Sequence, residues 1–244
     1  MKILTFDIET APALAWVWGI HEQRIGAHQI VEPTRMLCFA AKWLDDKKVH
    51  FASEHHTGKE QMLGDLWALL DEADAVIHYN GKSFDVKHVN REFLLAGMGP
   101  PSPYAQIDLY STVRGQFKFL SNKLDSVAHA LEIGGKAAHE GFGLWTACLA
   151  GDDKAWGRMK RYNVQDVRLT EALYYELLPW IKTHPSVNLV SGPPFSCPKC
   201  GSTDLTKRGF HHTATTATQR YQCGGCGSYS RGGKRTNWVD VRGV

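Results

Sequence analysis

The N-terminal segment has the pattern of a β-strand that two acidic residues interrupt. Residues 3–9 have the sequence Ile-Leu-Thr-Phe-Asp-Ile-Glu, whose branched and aromatic side chains favour a strand. Because side chains alternate across a strand, Asp7 and Glu9 share one face with Thr5, and the apolar residues occupy the other. Alternate strand positions are about 7 Å apart at the backbone, so both carboxylates can reach one cation. The pattern predicts a buried strand that carries a polar site on one face.

Two further blocks place carboxylates within apolar patterns. Asp85 comes just after the turn-rich stretch 80–83, at the start of a predicted helix. A longer helix is predicted over residues 152–178, and its inward face includes Tyr162 and Asp166 at a spacing of four. A buried carboxylate without a partner costs several kcal/mol, so such residues usually hold a cation. Four carboxylates that converge in this way favour a hard divalent ion, magnesium or manganese.

Each block alone has an ordinary explanation. An Asp-x-Glu pair on a strand is often a solvated edge, and an acid at a helix start stabilises the helix dipole. Tyr162 and Asp166 can also form a hydrogen-bonded pair on one helix. The three blocks occur in a fixed order and at similar intervals along the chain. We therefore interpret them as parts of one site.

The three blocks resemble the three motifs of the DEDD (DnaQ-like) superfamily of 3′–5′ exonucleases. They are Phe-Asp-Ile-Glu-Thr at 6–10, Asn-x3-Phe-Asp at 80–85 and Tyr-x3-Asp at 162–166. Tyr162 is typical of the Tyr-x3-Asp (DEDDy) subgroup, and the set is similar to the exonuclease domain of family B DNA polymerases. The segment 120–128 also resembles the family segment that leads into a helix between the second and third motifs. The resemblance implies a ribonuclease-H-like α/β domain over residues 1–183, with a mixed sheet flanked by helices.

The resemblance also implies a two-metal mechanism that hydrolyses phosphodiester bonds from 3′ ends and releases nucleoside 5′-monophosphates. Asp7, Glu9 and Asp166 would hold the first Mg²⁺ or Mn²⁺. Asp7 would bridge to the second ion, which Asp85 would reach directly or through water. Tyr162 would orient the attacking water through its hydroxyl group.

Other residues beside the acids are candidate substrate contacts. Thr10, Asn80 and Phe84 each stand next to a motif carboxylate. The loop with Trp16 and Trp18 could stack on a terminal base, and buried packing is the alternative for these two side chains.

The expected substrate is a nucleic acid with a 3′ end, in the first place single-stranded DNA. No residue identifies a 2′-hydroxyl group, so a 3′–5′ exoribonuclease remains open. A nucleic-acid-binding module with a vestigial nuclease site is an alternative of another class, although all five motif residues are present. A replication or repair protein is a further candidate partner.

The rest of the N-terminal region alternates predicted strands and helices. Strands are predicted over 35–44, 48–53, 75–79 and 105–109, and helices over 59–71 and 85–96. This order favours one α/β layered domain.

Two C-x2-C pairs, separated by 22 residues, stand near the C-terminus: Cys197, Cys200, Cys223 and Cys226. A glycine follows each pair, so each resembles a zinc knuckle, and two knuckles supply four thiolates for one structural Zn²⁺. Two disulfides or a redox pair are alternatives, but paired knuckles in a cytosolic chain favour zinc. We expect a zinc ribbon with a basic tail over residues 195–244, after a linker at 184–194 that is rich in Pro, Gly and Ser.

Charge is divided unevenly along the chain. Residues 1–194 have 20 Lys and Arg against 23 Asp and Glu, whereas residues 195–244 have 8 against 2. Ribbon cations would bind phosphates, and a merely solvated basic surface is the alternative. No apolar run approaches membrane length, and the first strand leaves no room for a signal peptide, so the expected location is the cytoplasm, without a membrane partner.

Overall fold

The chain forms two compact units. The computed structural model describes residues 1–135, 141–190 and 192–242. One unit is Lys2–Leu173, and the other is Tyr174–Val244 together with Met1. The division falls inside the last long helix, and the expected domain boundary after residue 183 stays a prediction.

The first unit contains a mixed five-stranded sheet. Its elements in chain order are β1 (Ile3–Thr10), β2 (Leu14–Ala15), β3 (Ile30–Glu32), β4 (Met36–Trp43), β5 (Val49–Ser53), α1 (Lys59–Glu72), β6 (Ala75–His78), α2 (Asp85–Leu95), β7 (Ala105–Asp108), α3 (Leu109–Gln116), α4 (Leu124–Ala130), α5 (Phe142–Leu149) and α6 (Asp153–Leu177). The strand order is β5-β4-β1-β6-β7, with β1 antiparallel to β4 and parallel to β6. Strand β1 is therefore central, and the expected mixed sheet with flanking helices is confirmed.

Helices α1 and α2 cover one face of this sheet. Strand β1 contributes Leu4, Phe6 and Ile8 to the core there, because these residues alternate with its polar residues. Helix α1 contributes a stripe at spacings of three and four, and the stripe is fully buried: Met62, Leu63, Leu66 and Leu70. This packing fixes which face of β1 points away from the core and carries the acids.

Helix α6 and the shorter α5 form a second core with residues of β4. Trp156 at the start of α6 is 1% exposed, and its indole nitrogen donates to the carbonyl of Cys148 at 2.9 Å. Tyr162 and Asp166, which were predicted to face inward, are both buried, and so is Met159 one turn before Tyr162. The helix prediction over residues 152–178 is thus confirmed to within a residue at each end.

The chain between β1 and β4 was not assigned from the sequence. It forms the two-stranded sheet of β2 and β3 and a short 3-10 helix at Ala27–Gln29. Trp16 is 77% exposed and Trp18 is 100% exposed. Buried packing of these two side chains, one of the two alternatives, is therefore wrong.

The second unit contains the end of α6, two 3-10 helices and a three-stranded antiparallel sheet. The strands are β8 (Leu205–His212), β9 (Thr216–Cys223) and β10 (Tyr229–Trp238), in the order β10-β9-β8. Lys199 in the first C-x2-C pair donates from Nζ to the carbonyls of Leu178 and Pro179, both at 2.9 Å. These bonds satisfy carbonyl groups just beyond the end of α6, where a cation is favoured by the helix dipole.

The expected linker at 184–194 makes specific contacts with the first C-x2-C pair. The 3-10 helix Val187–Leu189 lies within it, and the amide of Val187 donates to the carbonyl of Pro198 at 2.8 Å. Asn188 Nδ2 donates to the carbonyl of Ser196 at 3.0 Å. Position 191 of this segment and positions 243 and 244 of the expected tail lie outside the described residues.

Within the described ranges, no helix has the length and the apolar side chains that crossing a bilayer requires.

Glu92 joins α1 and α2 and gives a test of the fold. Its carboxylate is 1% exposed and pairs with Lys59 at 2.8 Å and with Arg91 at 2.7 Å. Burial alone would raise the pKa of Glu92, but the hydrogen bonds from Lys59 and Arg91 outweigh burial and lower it. The stability from Glu92 is therefore present above the ordinary carboxyl pKa and is lost as the pH falls through the lowered pKa of the folded state.

We expect Glu92→Gln to lower the free energy of unfolding by about 1–3 kcal/mol at neutral pH, because two cations lose a buried anion. Urea denaturation measures this loss, and the difference from the natural chain should shrink in acid. Glu72→Gln is the control, since Glu72 pairs with Lys2 on the surface and should contribute less than about 1 kcal/mol. Equal losses of stability in Glu92→Gln and Glu72→Gln would contradict the stabilising role of the buried Glu92 ion pairs.

Candidate functional site

Strand β1 presents Asp7 and Glu9 on the face opposite its apolar residues. Asp7 lies across from Ala40 of β4 and Glu9 across from Cys38. The register between the two strands shifts after Glu9, at Thr10, so the regular ladder ends where the acids end. Both carboxylates are partly buried. The alternation that was predicted from the sequence thus places them on one face.

Helix α6 brings a third carboxylate to this pair. Asp166 is 2% exposed, and one carboxylate oxygen from each of Asp7, Glu9 and Asp166 lies within 4.8 Å of the others. Oxygen donors at this spacing suit a hard divalent cation. Tyr162, one turn earlier on α6, is 8% exposed, and its ring meets that of Trp145 at a centroid distance of 6.0 Å.

Asn163 orients Asp7 and was not selected as a site residue from the sequence. It is fully buried, and its Nδ2 donates to Asp7 Oδ2 at 2.7 Å. Its Oδ1 accepts from the thiol of Cys38 at 3.8 Å. Burial, and then the charges of Glu9 and Asp7, raise the pKa of Cys38 well above its usual value, so the thiol keeps its proton. The sequence signal that could have identified Asn163 is its position as a polar residue directly after Tyr162 on a buried helix.

Asp85 approaches the same strand from α2. It is the first residue of the helix and is 4% exposed, and its Oδ1 accepts from the backbone amide of Ile8 at 3.2 Å. Ile8 lies between Asp7 and Glu9 in the chain. Asp85 is therefore held against the strand that carries the first two acids, although it is not one of the three carboxylates that lie within 4.8 Å of each other.

The turn before α2 depends on a glycine. Asn80 has φ +66°, and its amide donates to Asp108 at 3.1 Å. The amide of Gly81 donates to His78 Nδ1 at 3.1 Å, and a Cβ at position 81 would lie 2.5 Å from the His78 ring. Burial lowers the pKa of His78, with Asp108 acting in the opposite direction, so the ring stays neutral and accepts this bond. Glycine at 81 thus allows the tight turn that leads to Asp85.

A cavity of about 620 Å³ opens beside Asp7. Its other lining residues are Tyr79, Asn80, Tyr110, Asn122, Lys123, Leu124 and Asp125. The Tyr79 hydroxyl donates to the backbone carbonyl of Asn122 at 2.5 Å, and burial raises the pKa of Tyr79 so that it stays protonated. The side-chain oxygen of Asn122 is buried and accepts no hydrogen bond from the described residues. The cavity therefore offers a carboxylate and an amide oxygen to a polar ligand.

The three predicted substrate contacts lie in different settings. Asn80 lines the cavity. Thr10 is the last residue of β1 and is partly buried. Phe84 is 41% exposed, with its ring 4.5 Å from that of His88 by centroid distance. Neither Thr10 nor Phe84 is among the described residues that line the cavity.

The second unit contains a cluster of the four C-x2-C cysteines. Their sulfur atoms lie within 4.8 Å of one another, with Cys197 and Cys226 at 3.7 Å and Cys200 and Cys223 at 3.6 Å. All four are free thiols, since a disulfide would need a separation of about 2.05 Å. Four sulfurs at about 2.3 Å from one tetrahedral ion would lie about 3.8 Å apart. The cluster is therefore compatible with a zinc ribbon.

The comparisons with known proteins agree with the fold of the first unit. A search of curated proteins found no significant match. A solved family B DNA polymerase from the hyperthermophilic archaeon Pyrobaculum calidifontis is similar with a TM-score of 0.55 and 18% identity. The similarity covers 73% of this chain but only 24% of the polymerase chain, so it concerns the fold alone. The family model of the RNase_H superfamily matches residues 4–178, which is most of the chain, and the chain therefore belongs to the RNase_H superfamily.

Proposed function

We propose that this protein is a metal-dependent 3′–5′ exonuclease that removes nucleoside 5′-monophosphates from nucleic acid, with single-stranded DNA as the first candidate substrate. The observation that carries the proposal is the approach of Asp7, Glu9 and Asp166 to within 4.8 Å beside an open cavity. Three like charges at this distance repel one another, and a bound cation relieves that repulsion. A divalent ion does this and also serves phosphodiester hydrolysis.

The residues present fit two Mg²⁺ or Mn²⁺ ions. Asp7, Glu9 and Asp166 are hard oxygen donors that would hold one ion, and Asp85, which accepts a hydrogen bond from the Ile8 amide, would hold a second ion together with Asp7. When bound, two such ions activate the attacking water and stabilise the leaving 3′ oxygen. Asn163 keeps Asp7 in one orientation through its hydrogen bond, which limits the rearrangement that metal binding needs.

Tyr162 has the role of positioning water. Its hydroxyl group can both donate and accept a hydrogen bond. It lies on the same face of α6 as Asp166, one turn away, and packing against Trp145 limits its rotation. Such a group can hold a water molecule in line with a phosphate without itself binding metal.

The cavity beside Asp7 would take the terminal nucleotide. Its volume of about 620 Å³ lies within the usual range for small-molecule sites. Asn122 and Asn80 offer polar groups there, and Lys123 offers a cation for a phosphate. None of these groups distinguishes deoxyribose from ribose, so a 3′–5′ exoribonuclease is the second candidate function.

The four-cysteine cluster would hold one structural Zn²⁺. Its sulfur distances are close to the edges of a zinc tetrahedron, and the second unit has few large buried apolar side chains that could replace the metal.

The catalytic acids provide the first test of the proposal. Asp7→Asn and Asp166→Asn should each lower the cleavage rate by about a hundredfold or more, because each removes a metal ligand. Loss of a residue that only hydrogen-bonds to a ligand already lowers activity by about 10–100-fold. The assay compares 3′-labelled and 5′-labelled single-stranded DNA, duplex DNA and RNA in Mg²⁺ or Mn²⁺.

Asp153→Asn is the control, since Asp153 is 88% exposed on the same helix. A nearly normal rate in either catalytic variant would refute the metal assignment. Absence of cleavage by the natural chain on every substrate would favour a binding module with a vestigial site. Release from the 5′ end would refute the polarity.

Tyr162→Phe provides a second test, because it removes only the hydroxyl group. Turnover should fall by about 10²-fold, within the range for a residue that orients or transfers a proton, and the metal concentration for half-maximal rate should hardly change. Tyr175→Phe, which alters an exposed tyrosine further along α6, should have no effect. Unchanged turnover in Tyr162→Phe would mean that the side chain serves packing alone.

Metal content provides a third test. The purified protein should contain one zinc per chain by elemental analysis, and Cys223→Ser should lose it, because a hydroxyl is a poor ligand for zinc. Cys148→Ser is the control: Cys148 is also buried but lies outside the cluster, and burial raises its pKa to about 11. Full zinc content in Cys223→Ser would show that the cluster does not hold the ion.

A further inference from the structure

The sheet of β8, β9 and β10 has a strong positive charge without compensating acids. Residues 205–239 contain no Asp or Glu. They contain six cations: Lys207, Arg208, Arg220, Arg231, Lys234 and Arg235. All six side chains are exposed and belong to the three strands. A surface of this kind attracts polyanions.

Three of the arginines occupy one face of the sheet. Arg231 of β10 lies directly opposite Arg220 of β9, and Arg235 lies opposite Thr218. Directly opposite residues share a face, and so do Thr218 and Arg220, which are two positions apart on one strand. Like charges in directly opposite positions destabilise a sheet. An anion bound across Arg220 and Arg231 would relieve that repulsion.

The same face presents two exposed aromatic side chains. Tyr229 is two positions before Arg231 on β10 and is 54% exposed, and Trp238 lies opposite Thr216 and is 62% exposed. The guanidinium of Arg220 lies over the Tyr229 ring at 5.4 Å, and its Nε donates to the carbonyl of Arg208 at 2.9 Å. Arg220 is therefore held in place beside an aromatic ring whose other surface is accessible.

The opposite face of the sheet has a different composition. Lys207, Tyr221 and Ser230 lie in one row there, as the pairing of the three strands requires. The ring of Tyr221 meets that of Phe195 at a centroid distance of 5.1 Å, so part of this face is covered by the chain that precedes β8. Tyr221 and Ser230 on this face are partly buried, whereas Arg220, Arg231 and Arg235 on the other face are exposed.

We propose that the face formed by Tyr229, Arg231, Arg220, Arg235 and Trp238 is a binding surface for single-stranded nucleic acid, separate from the nuclease site. The arginines bind backbone phosphates, and the two aromatic rings stack on bases, which is the combination that sequence-tolerant single-strand binding uses. This inference rests on the proposed function at one point, because it assumes that the bound polyanion is the nucleic acid that the nuclease cleaves. An acidic protein would pair with the arginines but would not require base stacking on the two rings.

The test measures binding of a fluorescein-labelled oligothymidylate to the full chain as a function of salt, in an Asp7→Asn background that prevents cleavage. The variant Arg231→Gln with Arg235→Gln should reduce the slope of log affinity against log salt by about 1.4, since each single-strand phosphate contact contributes about 0.7. Lys207→Gln with Lys234→Gln is the control, because it removes the same charge from the opposite face and from the bulge of β10. Equal reductions in the two double variants, or none in the arginine variant, would overturn the proposal.

Stacking is tested at Tyr229. Tyr229→Leu should weaken binding about fivefold or more, and Tyr229→Phe should bind almost as well as tyrosine, because the ring and not the hydroxyl provides the contact. Full affinity of Tyr229→Leu would favour an acidic protein as the partner and overturn the proposal. The zinc content of each variant shows whether its zinc ribbon is folded.

Cleavage of a short 3′-labelled oligonucleotide separates this inference from the proposed function. For this assay, the same ribbon substitutions are placed in the chain with Asp7 intact. If the natural chain cleaves normally but the arginine double variant binds with an unchanged slope of log affinity against log salt, the binding face is refuted and the nuclease is not. Binding that depends on the arginines, without cleavage by the natural chain, would refute the nuclease alone and leave the binding face in place.

Discussion

Repulsion among three carboxylates is the constraint that the first unit must satisfy. Asp7, Glu9 and Asp166 approach within 4.8 Å, and the last of them is almost inaccessible to solvent. Bringing like charges together and removing them from water both raise the free energy of the folded state. The central strand β1 and the long helix α6 carry the acids and hold them near one another despite this repulsion. Burial of apolar residues elsewhere on the same elements offsets it.

The polar groups around the acids show how this cost is limited without removing the charge. Asn163 and the amide of Ile8 donate one hydrogen bond each, to Asp7 and to Asp85. Neutral donors of this kind stabilise a carboxylate but do not cancel its charge as Lys or Arg would. These two bonds therefore leave the charges of Asp7 and Asp85 in place. The thiol of Cys38 belongs to the same arrangement, since burial, and then the neighbouring acids, raise its pKa, so that it stays protonated and donates to Asn163.

The sequence predicted those parts of the fold and site whose signals are local. The alternation in β1 predicted that Asp7 and Glu9 share one face, and the spacing in α6 predicted the same for Tyr162 and Asp166, because backbone geometry alone decides which side chains share a face. It did not identify Asn163 or Asn122, because a buried amide acquires its role from residues that are distant in the chain. Asn163 bonds to Asp7 across 156 positions. The cavity beside Asp7 was missed for the same reason, since its lining comes from four separate stretches of the chain.

Strand β1 has core residues on one face and acids on the other, with a paired neighbour on each side. Side chains alternate with a period of two, so inserting or deleting one residue within Ile3–Glu9 would send the carboxylates into the apolar core and the apolar residues into the site. No compensating substitution at a single position could repair such a change. An insertion in a loop next to β1, such as the segment that carries Trp16 and Trp18, leaves this alternation intact, whereas an insertion inside the strand reverses it.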